Sequence, residues 1–535
     1  MRRHGESTYL VRGWDQLYER DQFTLYLTRK LPVLVSADEF RALQVDSNSA
    51  SYVHIFGEHD LKAELPDAAL TALADAMNAQ PGTPALSADV PAGYTYLGQF
   101  IIHDISFLSP SKTGNDWIDK RTAALDLDSV LPFGTPAQSL LAGPGQGPLA
   151  VGFTSGDNQL AEDLPRDQQA AYAGRPLVED PRNDDFLPLS QCHLALIKFY
   201  NAIARLNGYL GVPGQTLPDS WWADVRRTWM QHFQAVVLHD YLPRLVDPTT
   251  YADVLAHGRK LVRAGARAND IDWMPLEFAG AIGRFGHSMI RDSYMPWNCI
   301  TPGLAASVQE FMHFSYSNSG DGLASESHRL PMNWITDWRR LFDFTGTSLG
   351  SLAGYPMLAA AIDSRLTSAL RALPTCLRDD MCYGDSQSGP AFDLATATMI
   401  RGIELNLASG QQAVIAANGP LGNTIPMLSL PQIIGGDAGI AAAFEDCKAL
   451  KETTPLWFYM LREAEVLGAG RLGPLAGRVL METLHAAIEA APDNIISNKA
   501  WQPSLPRASA PYFTMMDLLL IAGHPDPLGA LGICS

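Results

Sequence analysis

Gln99, His103 and Asp104 lie in one stretch, Tyr94 to Phe107, which reads Tyr-Thr-Tyr-Leu-Gly-Gln-Phe-Ile-Ile-His-Asp-Ile-Ser-Phe. On a helix Gln99 and His103, four residues apart, share a face, and Asp104 is turned about 100° from the histidine. The imidazole and amide face suits an active site, and the neighbouring carboxylate suits a cation. A lone histidine in an apolar helix is ordinarily a hydrogen-bonded core residue, so the functional reading depends on the rest of the chain.

Two further stretches carry chemistry. Asp126 and Asp128 alternate in Arg121-Thr-Ala-Ala-Leu-Asp-Leu-Asp-Ser, near Thr122, and supply oxygen ligands of the kind a hard cation takes. Asp-Leu-Asp is also an ordinary surface-turn sequence, so this signal is weak alone. Arg284 and His287 lie three residues apart on one face of a helix read over residues 272–294. Gly280, Gly283 and Gly286 clear a stripe along it, open to a flat ligand or to another helix.

These residues need a frame of helices. Apolar periodicity and capping signals predict helices over 68–77, 94–107, 188–206, from Asp219 or Ser220 to a stop at Pro243, and over 392–405, 456–467 and 474–489, with another after Ser409. The 535 residues, 47% hydrophobic and 18% charged, are enough for a large core. No repeat or linker divides them, so the expectation is a mainly α protein: an arm over 1–65, one large domain over 66–524 and a tail over 525–535.

A net charge of −18 argues against nucleic acid or an anionic membrane surface as main partner and favours a small neutral or cationic substrate. No run approaches the ~20 apolar residues of a membrane span. No apolar signal-peptide core follows Met1-Arg-Arg, so a cytoplasmic protein is expected, with signal-independent secretion left open. The six cysteines form no Cys-x-x-Cys pair and are expected to be reduced, although Cys376 and Cys382 are close enough in sequence to bridge.

Several segments together, in order over about residues 66–524, resemble the animal-type haem peroxidases of the peroxidase-cyclooxygenase superfamily, particularly bacterial members. Gly98-Gln-Phe-Ile-Ile-His-Asp resembles the distal helix, Asp180-Pro-Arg-Asn-Asp-Asp the distal arginine segment and Arg284-Phe-Gly-His-Ser-Met the proximal histidine motif. Leu456-Trp-Phe-Tyr and Arg471-Leu-Gly-Pro match the carboxy-terminal half. The resemblance implies a haem b peroxidase with His287 as axial iron ligand, His103 as acid-base residue, Arg182 as fixed positive charge and Gln99 as a distal hydrogen-bonding group. It also implies calcium on Asp104, Thr122, the Ala124 carbonyl, Asp126 and Asp128, and haem propionates paired with Arg284 and Arg401. The implied partners are hydrogen peroxide and a small donor such as a phenol, another aromatic, iodide, thiocyanate or one dedicated metabolite.

Departures from the family pattern narrow that expectation. Where mammalian members carry the two ester-forming carboxylates, this chain has Ile102 and Asp185, so at most one ester, through Asp185, is available and a weaker oxidant is expected. Thr398 stands where an asparagine bonds the axial histidine, and Leu131 or Phe133 replaces a tyrosine after the calcium loop. The rival readings are a fatty-acid dioxygenase of the cyclooxygenase branch and a non-catalytic, calcium-stabilised haem-binding protein. Arg284 occupies the dioxygenases' radical-tyrosine position and favours the peroxidase, while the grouping of Gln99, His103 and Arg182 has no purpose in a non-catalytic protein.

Overall fold

The computed structural model describes residues 50–78, 85–110, 117–131, 147–156, 159–166, 174, 176–211, 215, 217–263, 273–301, 306–315, 328–350, 352–373, 392–508 and 511–533. Most of the arm, Phe133, Cys376, Cys382 and Cys534 therefore lie outside the described residues. The chain is mainly helical with six short strands among the described residues, in agreement with the expected fold class. The helices that matter for the site are α1 (Asp67–Asn78), α2 (Gly93–Ile105), α3 (Leu187–Leu206), α4 (Asp219–Val236), α5 (Leu394–Glu404), α6 (Gly410–Leu421), α7 (Leu456–Leu467), α8 (Pro474–Ala490) and α9 (Met515–Ala522).

Helix α2 is the expected 94–107 helix, ending near Ile105 as the backbone turns extended at Ser106. Leu97, Phe100, Ile101 and Ile105 are buried, so packing holds a helix whose first turn has no side-chain cap. Its entry needs Gly93, because a Cβ there would come 2.3 Å from Phe342 Cε2. Helix α3 is buried on nearly all sides, and both α2 and α9 pack against it. Phe100 meets Phe233 and His193 edge-on, joining α2 to α4 and α3.

Two expected elements are corrected. Helix α4 does not stop at Pro243: a π-helical turn, Val237–Tyr241, follows it, and one more α turn runs Leu242–Leu245. The wider turn shifts the hydrogen-bond register, so Pro243 falls in the first turn of the last segment, where its missing N–H costs nothing. The single helix expected over 272–294 is instead a strand, Trp273–Pro275, a short helix, Leu276–Gly280, and a 3₁₀ segment, Ile282–His287. Three glycines and a proline are weak helix formers, and the backbone breaks at Ala281 (φ −139°, ψ −67°).

The strands brace this segment. In one sheet, ordered β3-β4-β1-β5, β1 (Ala50–Val53) runs parallel to β5 (Trp273–Pro275) and antiparallel to β4 (Trp117–Asp119), which pairs with β3 (Leu108–Pro110). A second pair joins β2 (Leu86–Pro91) to β6 (Leu358–Ala360). Buried Glu277 accepts hydrogen bonds from Ile55 N and Phe56 N, so the end of the arm is fastened to the body. The tail is docked as well: Trp338 N donates to Pro525 O at 2.8 Å.

Cys192 and Cys447 are free thiols, but Cys299 is disulfide-bonded to a partner outside the described residues. This departs from the expectation of reduced thiols. That expectation assumed a reducing compartment, in which thiols stay unbridged. Among the described residues no helix is long and apolar enough to cross a membrane.

Candidate functional site

A cavity of about 220 Å³ is lined by Gln99, Ile102 and His103 from α2, Arg182 and Asp185 from the turn before α3, and Arg284, Gly286 and His287 from the 3₁₀ segment. A second hollow of about 340 Å³ opens beside it, sharing Leu108, Arg182, Arg284, Phe392 and Leu394, and reaches Thr398 and Arg401 on α5. Together they fall within the ~300–1,000 Å³ range of small-molecule and cofactor sites. Side chains more than 180 residues apart in sequence, such as His103 and His287, thus line one space.

On the α2 side His103 is half-buried, and desolvation first, then the Arg182 charge, lowers its pKa to about 3. Its ring is neutral at neutral pH and able to accept a proton. Its Nδ1 lies 3.0 Å from Asn183 Oδ1, and Asn183 Nδ2 lies 3.0 Å from Nδ1 of buried His193. Arg182 is pinned on several sides. Its Nη2 donates to Asp180 Oδ2 at 2.7 Å, His103 O at 3.0 Å and Ser106 O at 3.1 Å, and its guanidinium lies 4.0 Å from the centre of the Phe107 ring. Burial alone would raise the Asp180 pKa, but the Arg182 and Arg121 charges hold the carboxylate well below its usual range. The positive charge at the cavity wall is therefore fixed in place.

On the 3₁₀ side of the cavity His287 is half-buried, and desolvation followed by the Arg284 charge lowers its pKa to about 3. A neutral imidazole is the form that binds a metal. Its Nδ1 is buried with no hydrogen-bond partner among the described residues, and its ring packs edge-on against Trp457 of α7 at 6.0 Å. Trp457 Nε1 donates to Arg284 O at 3.2 Å, fixing that indole. A Cβ at Gly286 would meet nothing within 4 Å, so the glycine leaves open the cavity space beside the ring. Neutral His287, the open face at Gly286 and the adjoining arginines are residues that fit a haem.

The remaining expected residues are placed as follows. Asp185 lines the cavity, and Arg284 lines both hollows while its Nε donates to Ala279 O. Arg401 lines the second hollow, pairs with Glu404 at 3.3 Å and lies over the Trp117 ring. Thr398 does not bond His287. Its hydroxyl donates to Leu394 O at 2.7 Å, because a threonine inside a helix readily bonds the carbonyl one turn back.

Asp104, Asp126 and Asp128 are all buried, and burial, then Asp128, then Asp126, raises the Asp104 pKa to about 8. The Asp104 oxygens accept from Leu127 N, Ser129 N and Ser129 Oγ, and Arg121 holds Asp128 at 3.1 Å. The Thr122 hydroxyl is buried without a partner among the described residues, while Ala124 is buried with Met230 and Ala491. Among the described residues no group of three or more His, Cys, Asp or Glu is placed to hold a metal ion.

The sequence reading missed Asn183, His193 and Tyr241. Tyr241 lines the cavity from the π turn, and Gly98 makes room for it, since a Cβ there would lie 2.3 Å from its hydroxyl. Only the position of Asn183, next to Arg182, gave a signal in the sequence.

No family model matches the chain, and no curated relative does. Solved structures are similar. Peroxidase A from Dictyostelium discoideum aligns with a TM-score of 0.61 at 14% identity, covering 90% of this chain and 95% of that one. A fatty acid alpha-dioxygenase of Oryza sativa, in a substituted form with palmitic acid, aligns at 0.57 and 13%, covering 91% and 81%. That of Arabidopsis thaliana aligns at 0.55 and 11%, covering 89% and 76%. Over about nine-tenths of its length, then, this chain shares the fold of that peroxidase and of those two dioxygenases.

Proposed function

We propose that the protein is a haem-dependent peroxidase that uses hydrogen peroxide to oxidise a small donor. The observation that carries this reading is the single cavity with His287 on one wall and Gln99, His103 and Arg182 lining the same space. When bound, haem supplies the redox chemistry, and His287 would hold its iron. His103 takes a proton from peroxide and returns it to the departing oxygen, Arg182 stabilises negative charge there, and Gln99 hydrogen-bonds peroxide or the donor. Arg284 and Arg401 would face the acidic edge of the haem, and Asp185, which lines the cavity, would supply one ester at most.

Phenols and other aromatics, iodide and thiocyanate are the donor classes. Protein reconstituted with haem should oxidise a phenol or iodide with peroxide, and His103→Gln should lower that rate by about 10²–10⁴-fold. Oxygen uptake with linoleate and no added peroxide would instead support the dioxygenase reading, which the fold of the two plant neighbours brings forward. Arg284 at the place of that chemistry's tyrosine speaks against it.

Calcium at Asp104, Thr122, Ala124, Asp126 and Asp128 is part of the same proposal, supported by the buried carboxylates and the unpartnered Thr122 hydroxyl. Removing calcium with a chelator should lower the melting temperature and calcium should restore it. No change, with no calcium in the purified protein, would leave the locking of α2 to Arg121 and Ser129.

A further inference from the structure

We propose that Asn183 and His193 are positioning residues that hold His103 in one tautomer, with the proton on Nδ1 and the Nε2 lone pair available to the cavity. Its meaning for catalysis rests on the peroxidase reading, but the tautomer itself is a property of the protein alone.

The argument starts from hydrogen-bond inventory. A neutral imidazole has one donor and one acceptor nitrogen, and the partner of one nitrogen decides the role of the other. Asn183 Oδ1 can only accept, so His103 Nδ1, 3.0 Å away, must carry the proton. Asn183 Nδ2 can only donate, so His193 Nδ1, also at 3.0 Å, must carry the lone pair. The amide thus couples the two rings and sets opposite tautomers on them.

The surroundings keep this arrangement in place. Asn183 is completely buried in the 3₁₀ turn Pro181–Asp184, where its N–H donates to Asp180 O. Phe100 meets the His193 ring edge-on at 5.9 Å. Burial lowers the pKa of the His193 ring to about 3, so that ring keeps its lone pair on Nδ1 near neutral pH.

The consequence is a base aimed at the cavity. In the opposite tautomer an N–H would occupy Nε2, and His103 would have no lone pair to offer there. In the assigned one, a peroxide O–H bond breaks, its electron pair stays on oxygen, and the proton forms a new N–H bond at Nε2. The positive charge that develops on the ring is then shared with Asn183 Oδ1 through the Nδ1–H bond.

The test is nitrogen NMR on protein labelled at histidine and kept free of haem, with His103 and His193 assigned by loss of signals in His103→Gln and His193→Gln. Wild type should show a protonated Nδ1 and lone-pair Nε2 on His103, and the reverse on His193. Asn183→Leu should return His103 towards the tautomer with Nε2 protonated. Should that variant not fold, Asn183→Asp keeps the acceptor and should leave His103 unchanged while His193 Nδ1 becomes protonated. A wild-type His103 protonated at Nε2, or a His103 insensitive to Asn183→Leu, would overturn the proposal. In the haem-loaded protein Asn183→Leu should lower kcat/KM for peroxide roughly 10–100-fold with the donor KM unchanged. Failure to bind haem would overturn the peroxidase reading while leaving the tautomer result intact.

Discussion

The two histidines that face the cavity are held in opposite ways. His103 sits in a polar network of Asn183, His193, Arg182 and Asp180, whereas His287 is fixed by packing against Trp457 and its Nδ1 has no partner among the described residues. Orientation and protonation are controlled on the first wall; space is controlled on the second. A ligand histidine without a hydrogen bond to its second nitrogen is a weaker donor to its metal. In the proposed enzyme this joins the missing ester partner at Ile102 in lowering oxidising reach relative to doubly esterified relatives.

Breaking the polar wall should cost most. Arg182→Met leaves the Asp180 carboxylate buried with Arg121 and removes the bonds to His103 O and Ser106 O, so unfolding free energy should fall by about 3–5 kcal/mol. Urea unfolding measures it, and a loss below 1 kcal/mol would show that the network is not a brace.

The packed wall has a pH dependence of its own through Glu463 of α7. It accepts from Leu475 N and Ala476 N at the start of α8, and burial raises its pKa to about 7 from an ordinary 4.5. A carboxyl whose folded pKa is raised favours folding while protonated. Its contribution is therefore complete below about pH 4.5 and is lost as pH rises through about 7, amounting to roughly 3 kcal/mol at most. Denaturant titrations of wild type and Glu463→Gln at several pH values should show a shallower decline in the variant across that window, and parallel curves would contradict the assignment.

The smallest effect is expected at Thr398. Because its hydroxyl serves Leu394 O, Thr398→Val should cost about 1 kcal/mol and leave the haem spectrum and reduction potential as they are. A shifted potential would mean that Thr398 does reach the proximal histidine.

Much of the site was legible before the structure. The spacing of Gln99 and His103 on α2 and the ordered motifs around Arg182 and His287 singled out residues that share one cavity. Contacts made only by tertiary packing were not legible. Nothing in the sequence links His103 to His193 across Asn183, and the helical spacing of Gly280, Gly283 and Gly286 concealed the break at Ala281. Pro243 misled in the other direction, since a π turn absorbed it. Thr398 was placed by analogy with an asparagine, but a hydroxyl is too short to prefer a distant ring over its own helix.

The central claim is that the cavity holds haem with His287 on the iron. Titrating the purified protein with haemin, alongside His287→Ala, tests it directly. The account predicts a saturable Soret band at one haem per chain in wild type that is lost or shifted in the variant. No band in wild type, or the same spectrum in both proteins, would contradict it.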